Sequence, residues 1–260
     1  MILRRVIKHV QDQEWTAIAI DFLIVVIGVF VGLQVSNWNA AIQERARAAV
    51  YSERLKAELG AELEYATALL EYNTVASRAG DAAYLGLSGK SAMDDETILI
   101  NAYRASQYNW YERRRAAFDE IVASGSLALI SDVGLRETAI GIYNTPVFSI
   151  ILSEGQASRY RDLFRMAIEP SLHDDLSKNC GDKEYDSHGA AVGLLTMDYP
   201  CTLTVSPEEM TEGVLALRSD PEVARALKLR NAQVSGRMYD LEATIRTFGL
   251  KNLFEGDITP

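Results

Sequence analysis

The chain has 260 residues and a formal net charge of −10, with 36 acidic against 26 basic side chains. Residues 1–38 balance Arg4, Arg5 and Lys8 against Asp12, Glu14 and Asp21, so the negative charge belongs to residues 39–260. A domain this acidic argues against nucleic-acid binding, which needs a basic footprint, and against lying flat on anionic lipid.

Met1 to Glu14 reads as a short tail continuous with the apolar stretch after it, and His9 as a solvated surface residue. Between Trp15 and Trp38 lie 22 residues, of which only Asp21 is charged. As a helix they cover roughly 33 Å, enough for the ~30 Å hydrocarbon core of a bilayer. Tryptophans at both ends suit the headgroup level. The apolar run is too long for a cleaved secretory signal, and no small-x-small site comes after it. The expectation is an uncleaved anchor, with membrane lipid as its surroundings.

On a helical wheel with Asp21 at the origin, Gly28 falls at about −20°, Gly32 at about +20° and Asn39 near 0°. Val25 and Val35 flank this strip, so Asp21, Val25, Gly28, Gly32, Val35 and Asn39 form one face. Glycines four apart let helices approach closely in lipid. A carboxylate in the bilayer costs ~2.5–3.5 kcal/mol on insertion scales and normally faces protein or a wet cavity. Two readings of Asp21 stand: it reaches water or Lys8 near the membrane edge, or it marks an interface, protonated or paired with a base. For Gly28 and Gly32 the plain alternative is the general frequency of glycine in such helices.

From Asn39 to about Ala79 there is no proline and one glycine, Gly60. Leu55, Leu59, Leu63, Ala66 and Leu70 recur at helical period. Nothing breaks the pattern after Trp38, so the anchor is expected to run straight into a rigid stalk. The stripe reads either as bundle core within one chain or as a seam between copies. Gly86–Asp95 reads as a loop. Helices are then expected over Asp94–Ala105, Trp110–Ser124 and Ser131–Tyr143, with Gly125 closing the second and Asp132 capping the third. Tyr108, Trp110 and Tyr111 stand beside Arg113, Arg114 and Arg115, an unusual surface in an acidic domain. It fits either an anionic partner, with rings stacked on guanidinium groups, or a helix start with buried rings and solvated arginines.

The anchor stretch from Asp21-Phe-Leu-Ile-Val-Val-Ile-Gly28 to Leu33-Gln34-Val-Ser36-Asn37-Trp38-Asn39 resembles a family of uncharacterised bacterial single-pass proteins with the pattern acid–VVIG–(L/V)(A/G)LQ–x–NNWN. Family members usually carry Glu where Asp21 stands and Asn where Ser36 stands. Phe118 to Asp132 is similar to a recurrent F-x-x-(L/I)-x-x-SG-x-(L/I)-x-x-I segment of that family. The likeness covers roughly residues 15–145. It implies a bacterial inner-membrane protein with a helical external domain, and it brings no activity.

After Pro146 one helix is expected from Phe148 to about Ile168, ended by Pro170. Ser171–Ser206 reads as irregular and holds both cysteines. Cys180 and Cys201 lack metal-ligand spacing and read as a disulfide, implying an oxidising compartment, or as two unrelated thiols. A bridge would close a loop worth ~3 kcal/mol. Positive charges do not settle orientation alone, since Arg45, Arg47, Arg54 and Lys56 lie just beyond the anchor. With the cysteines, they favour a cytoplasmic N-terminus and a periplasmic domain. Asp182 to Gly189 alternates acids like a cation loop, but Ser187 and Gly193 occupy the glycine and glutamate positions of the EF-hand template. Ser206-Pro207 and Asp220-Pro221 are helix starts. The last helix carries Leu227, Val234, Leu241 and Phe248, with Asn231, Met238 and Ile245 between them, a seam expected to pack on the 39–79 helix.

The sum is an all-α chain: a tail over 1–14, a transmembrane helix over 15–38 continuing into a long helix, and an extramembrane helical bundle over 39–260. Three histidines without zinc spacing, and no nucleophile elbow, Walker loop or dinucleotide fingerprint, point away from catalysis; no catalytic residue, metal or cofactor is expected. Three roles fit: a scaffold or accessory subunit, self-associating or joined to a larger membrane complex; a periplasmic sensor of a ligand or envelope partner; and a proton-coupled motor partner using Asp21.

Overall fold

The computed structural model describes residues 15–185 and 193–254. These residues are all-α apart from one short hairpin. Helix α1 runs unbroken from Trp15 to Leu87, 73 residues. No proline interrupts it, and Gly89, at φ +66°, turns the chain after its end. The stalk is thus one helix with the apolar segment, as expected, and ends eight residues later than composition indicated.

Within α1, Leu55, Leu59, Glu62, Ala66, Leu69, Asn73, Ala76, Gly80 and Ala83 are buried, alternating steps of three and four along one face. Leu63 and Leu70, expected in the core, pack only at its edge. The stripe runs through Glu62 and Leu69 instead because α9 and the middle helices close on that side.

The remaining elements are α2 (Asp95–Ser106), α3 (Ala116–Ala123), a 3₁₀ turn (Ser126–Leu129), α4 (Val133–Asn144), α5 (Val147–Gln156), α6 (Arg159–Ala167), α7 (Pro170–Cys180), β1 (Lys183–Tyr185), β2 (Leu194–Thr196), α8 (Pro207–Ser219) and α9 (Pro221–Thr247). The strands pair antiparallel, with Glu184 opposite Leu195. Helices α2 and α9 supply the main contacts to α1. Helix α9 runs antiparallel to α1, with Asn231 donating to Asp81 at 2.9 Å and Thr74 meeting Met238.

Local chemistry sets the starts. Asp94, Asp132 and Ser206 accept from Thr97, Leu135 and Glu209 backbone N–H groups, and Ser206 with Glu209 completes a capping box. Gly125 takes φ +67°, as its place after α3 required. Other expectations are corrected. The helix foreseen over 110–124 begins only at Ala116, because the Glu58 carboxylate accepts from the Ala117 and Phe118 N–H groups at 2.9 and 3.0 Å. The helix foreseen over 148–168 is two helices, and Ser158 caps the second through the Arg161 N–H. Pro170 starts α7 rather than ending a helix. The segment 171–206 accordingly contains α7 and the hairpin.

Two large apolar cores result, with a smaller cluster of Tyr72, Val75 and Ala76 of α1 against Met197. One gathers Leu55, Leu59 and Leu69 of α1 with Phe118, Ile121, Ile142 and the end of α9. The other gathers α2, α6, α7, α8 and the start of α9 around Leu99, Phe164 and Leu227. Leu227, Val234, Leu241 and Ile245 are buried, while Asn231, Met238 and Phe248 sit at the seam's margins. The seam does pack on α1 of the same chain. Cys180 and Cys201 are joined, with their Cα atoms 5.4 Å apart.

Candidate association surfaces

Helix α1 is long and apolar enough to cross a membrane, by length and composition. Every residue from Trp15 to Ala40 is exposed. Trp15 and Trp38 are 67% and 68% exposed, so these rings pack on nothing in the chain. A Cβ built on Gly28 or Gly32 would meet no atom within 4 Å. Asp21, Val25, Gly28, Gly32, Val35 and Asn39 therefore form an open strip on one face of a continuous helix.

The bundle attaches on the other side. Leu55, the first core residue, lies sixteen residues after Asn39, about 160° around the helix. Leu59 lies twenty residues after it, about 200° around. Bundle and strip thus lie on opposite sides at the bundle's first contacts, while farther along α1 Ala61, Ala68 and Val75, in phase with Asn39, are buried as well.

The cluster at 108–115 divides, with Tyr108, Tyr111 and Arg113 turned inward and Trp110, Arg114 and Arg115 outward. Tyr111 stacks on Tyr65 with ring centroids 3.4 Å apart. Arg113 donates through Nε and Nη2 to Glu62 Oε2 at 2.9 and 2.7 Å, and to the Ile142 carbonyl at 3.0 Å. Its guanidinium lies 4.4 Å from the centre of the Phe148 ring and 5.2 Å from that of Tyr143. Burial pushes the Glu62 carboxyl upward, and the Arg113 charge opposes that shift. Burial likewise raises the Tyr65, Tyr111 and Tyr143 phenols. Tyr108 covers Gly155, where an added Cβ would approach the Tyr108 Cβ to 2.6 Å, and Arg161 lies over its ring. Arg115 forks onto Asp119. Trp110, 55% exposed, Arg114 and Arg115 remain outward. This segment is chiefly an internal clamp between α1, α4 and α5.

Glu62, Glu58 and Tyr65 are the members of that clamp that sequence reading missed. A signal existed: Glu62 stands three residues after Leu59 and four before Ala66, on the apolar seam, where a buried carboxylate requires a base.

Asp182, read as part of an acid-rich loop, points inward and accepts from the Tyr72 hydroxyl at 2.7 Å. Burial raises its carboxyl. Asp186 and His188 of that loop lie outside the described residues, as does the 1–14 tail. Among the described residues no three His, Cys, Asp or Glu side chains gather in a metal-binding group. A cleft of about 560 Å³ between α4 and the chain after α9 is lined by Ile140, Gly141, Phe248 and Leu253, with Glu137 as its one charged residue.

No family model, curated protein or solved structure matches this chain.

Proposed function

We propose that this protein is a non-enzymatic, membrane-anchored scaffold or accessory subunit of a bacterial inner-membrane assembly. It associates through the α1 face carrying Asp21, Val25, Gly28, Gly32, Val35 and Asn39. The observation that carries this reading is the continuity of α1 from Trp15 to Leu87, with its apolar third bare. A chain that only needed tethering could use a flexible linker. Here Leu55 stands seventeen residues beyond Trp38, so an unbroken helix holds the core about 25 Å past the tryptophan.

In lipid, apolar burial gives little drive for helices to meet, and close packing at small residues takes its place. Gly28 and Gly32 supply that approach, and Asp21 on the same face gains most from leaving lipid for protein. The anchor's likeness to the single-pass bacterial family supports the inner membrane. The Cys180–Cys201 bridge supports an oxidising compartment for the bundle, hence a cytoplasmic N-terminus.

The test is association of the full-length chain in lipid or mild detergent. Gly28→Leu with Gly32→Leu is expected to abolish it, and Asp21→Leu to shift it more than Asp21→Asn. Association unchanged in all three variants would refute the assigned face.

A further inference from the structure

The open face does not stop at the membrane boundary. Past Asn39 its alternating steps of three and four continue through Ile42, Ala46 and Ala49. All three are exposed, and Ile42, in the water-accessible part of the stalk, is 46% exposed. In heptad terms Asn39 and Ala46 take the a positions and Ile42 and Ala49 the d positions. Val50, 56% exposed, flanks the seam at an e position. Glu44 and Arg47 fall on the outer f and b positions and Arg45 on the flanking g position, so no charge of residues 39–50 takes an a or d position.

We infer that the occupant of this seam is a second copy of the chain, forming a parallel two-stranded coil from the anchor through Ala49. The inference rests on the anchored reading above. Three features single out a second copy. Anchored copies share one orientation across the bilayer, so identical heptads meet in register. Asn39 at an a position is self-complementary, since each amide can donate to the other's carbonyl, and such a residue fixes register and copy number. The bundle's first core residue also faces away from the seam, because Ala46 lies nine residues, or about 180° around the helix, from Leu55.

From Asp21 to Ala49 the helix spans about 42 Å, and a contact strip about 10 Å wide on each copy gives about 840 Å² in total, the scale of a weak interface, which confinement of both copies to one bilayer supplements through high local concentration. The coil ends after Ala49, where Glu53 takes the next a position and Leu55 opens the chain's own core.

The experiment is cysteine cross-linking of the full-length chain in native membranes. Its own cysteines are joined to each other. Ile42→Cys, Ala46→Cys and Ala49→Cys are compared with Glu44→Cys and Arg47→Cys under brief copper–phenanthroline oxidation. The inference expects a dimer band several-fold stronger at the three seam positions than at the two outer ones. Equal cross-linking at all five positions, or none at any, overturns it. If seam cross-links are absent but the chain extracts in a stoichiometric complex with another protein, the second copy is refuted while the accessory-subunit reading survives. A chain that neither cross-links nor extracts with a partner refutes both.

Discussion

Replacing Arg113 with methionine tests how the bundle is held together. The change removes both donors to the Glu62 carboxylate, whose residue is 0% exposed, and keeps a flexible apolar side chain against Phe148 and Tyr143. Breaking a buried pair by removing one partner costs about 3–5 kcal/mol, since a charge stays buried uncompensated. The pH dependence has a defined sign. Glu62 already sits above its ordinary carboxyl value through burial, and losing Arg113 raises it further. An acid raised in the folded state loses stability as pH rises from its unfolded value through its folded one. The deficit of Arg113→Met is therefore greatest near neutral pH and shrinks toward about pH 5, by up to about 1.4 kcal/mol per pH unit once Glu62 takes up its proton. Urea unfolding of the full-length chain in detergent, tracked by circular dichroism from about pH 5 to about pH 8, measures it. Adding Glu62→Leu to Arg113→Met should recover at least half the loss, because an apolar pair does not leave a buried charge. A cost below about 1 kcal/mol, or one independent of pH, would refute the clamp as the source of stability.

Other substitutions probe the same packing. An added Cβ at Gly80 would fall 2.0 Å from Asn231 Oδ1, so Gly80→Ala displaces the Asn231–Asp81 hydrogen bond and lowers stability by about 1–2 kcal/mol. Gly236→Ala, in mid-helix with nothing within 4 Å, raises it by about 0.5–1 kcal/mol; thermal melts of the pair should move in opposite directions. Glu58→Ala strips the acceptor from two α3 amides and is expected to lower stability by about 1–2 kcal/mol in urea titrations. Cys180→Ala with Cys201→Ala opens a loop closed over 21 positions and should lower stability by about 3 kcal/mol, read as a lower urea midpoint.

The parts of the fold visible in sequence were those written in local chemistry. The apolar helix over 15–38, its unbroken exit into the stalk, the proline-led starts at Pro207 and Pro221 and the Asp132 cap each depend on residues a few positions apart. The interior of 107–170 was hidden because long-range partners decide it. Nothing within Tyr108–Arg115 shows that Tyr111 stacks on Tyr65, or that Arg113 is drawn to a carboxylate 51 residues earlier. The arginine run reads as an outward surface until Glu62 is placed opposite it. The break at Ser158 was missed because Ile150, Phe164 and Ile168 keep a helical rhythm across it. The open face of α1 was in view only as far as Asn39; the proposed continuation to Ala49 gained meaning once Leu55 was placed across the helix.

The central claim is that the bare face of α1 exists to be covered by protein. Its most direct test is gentle extraction of the full-length chain from native membranes, then mass determination of the intact particle. The account predicts a particle heavier than one 28.8 kDa chain, a homodimer alone or within a larger complex. It also predicts that Gly28→Leu with Gly32→Leu reduces that particle to single chains. A monomer from the unsubstituted protein, under conditions that preserve other membrane complexes, contradicts it.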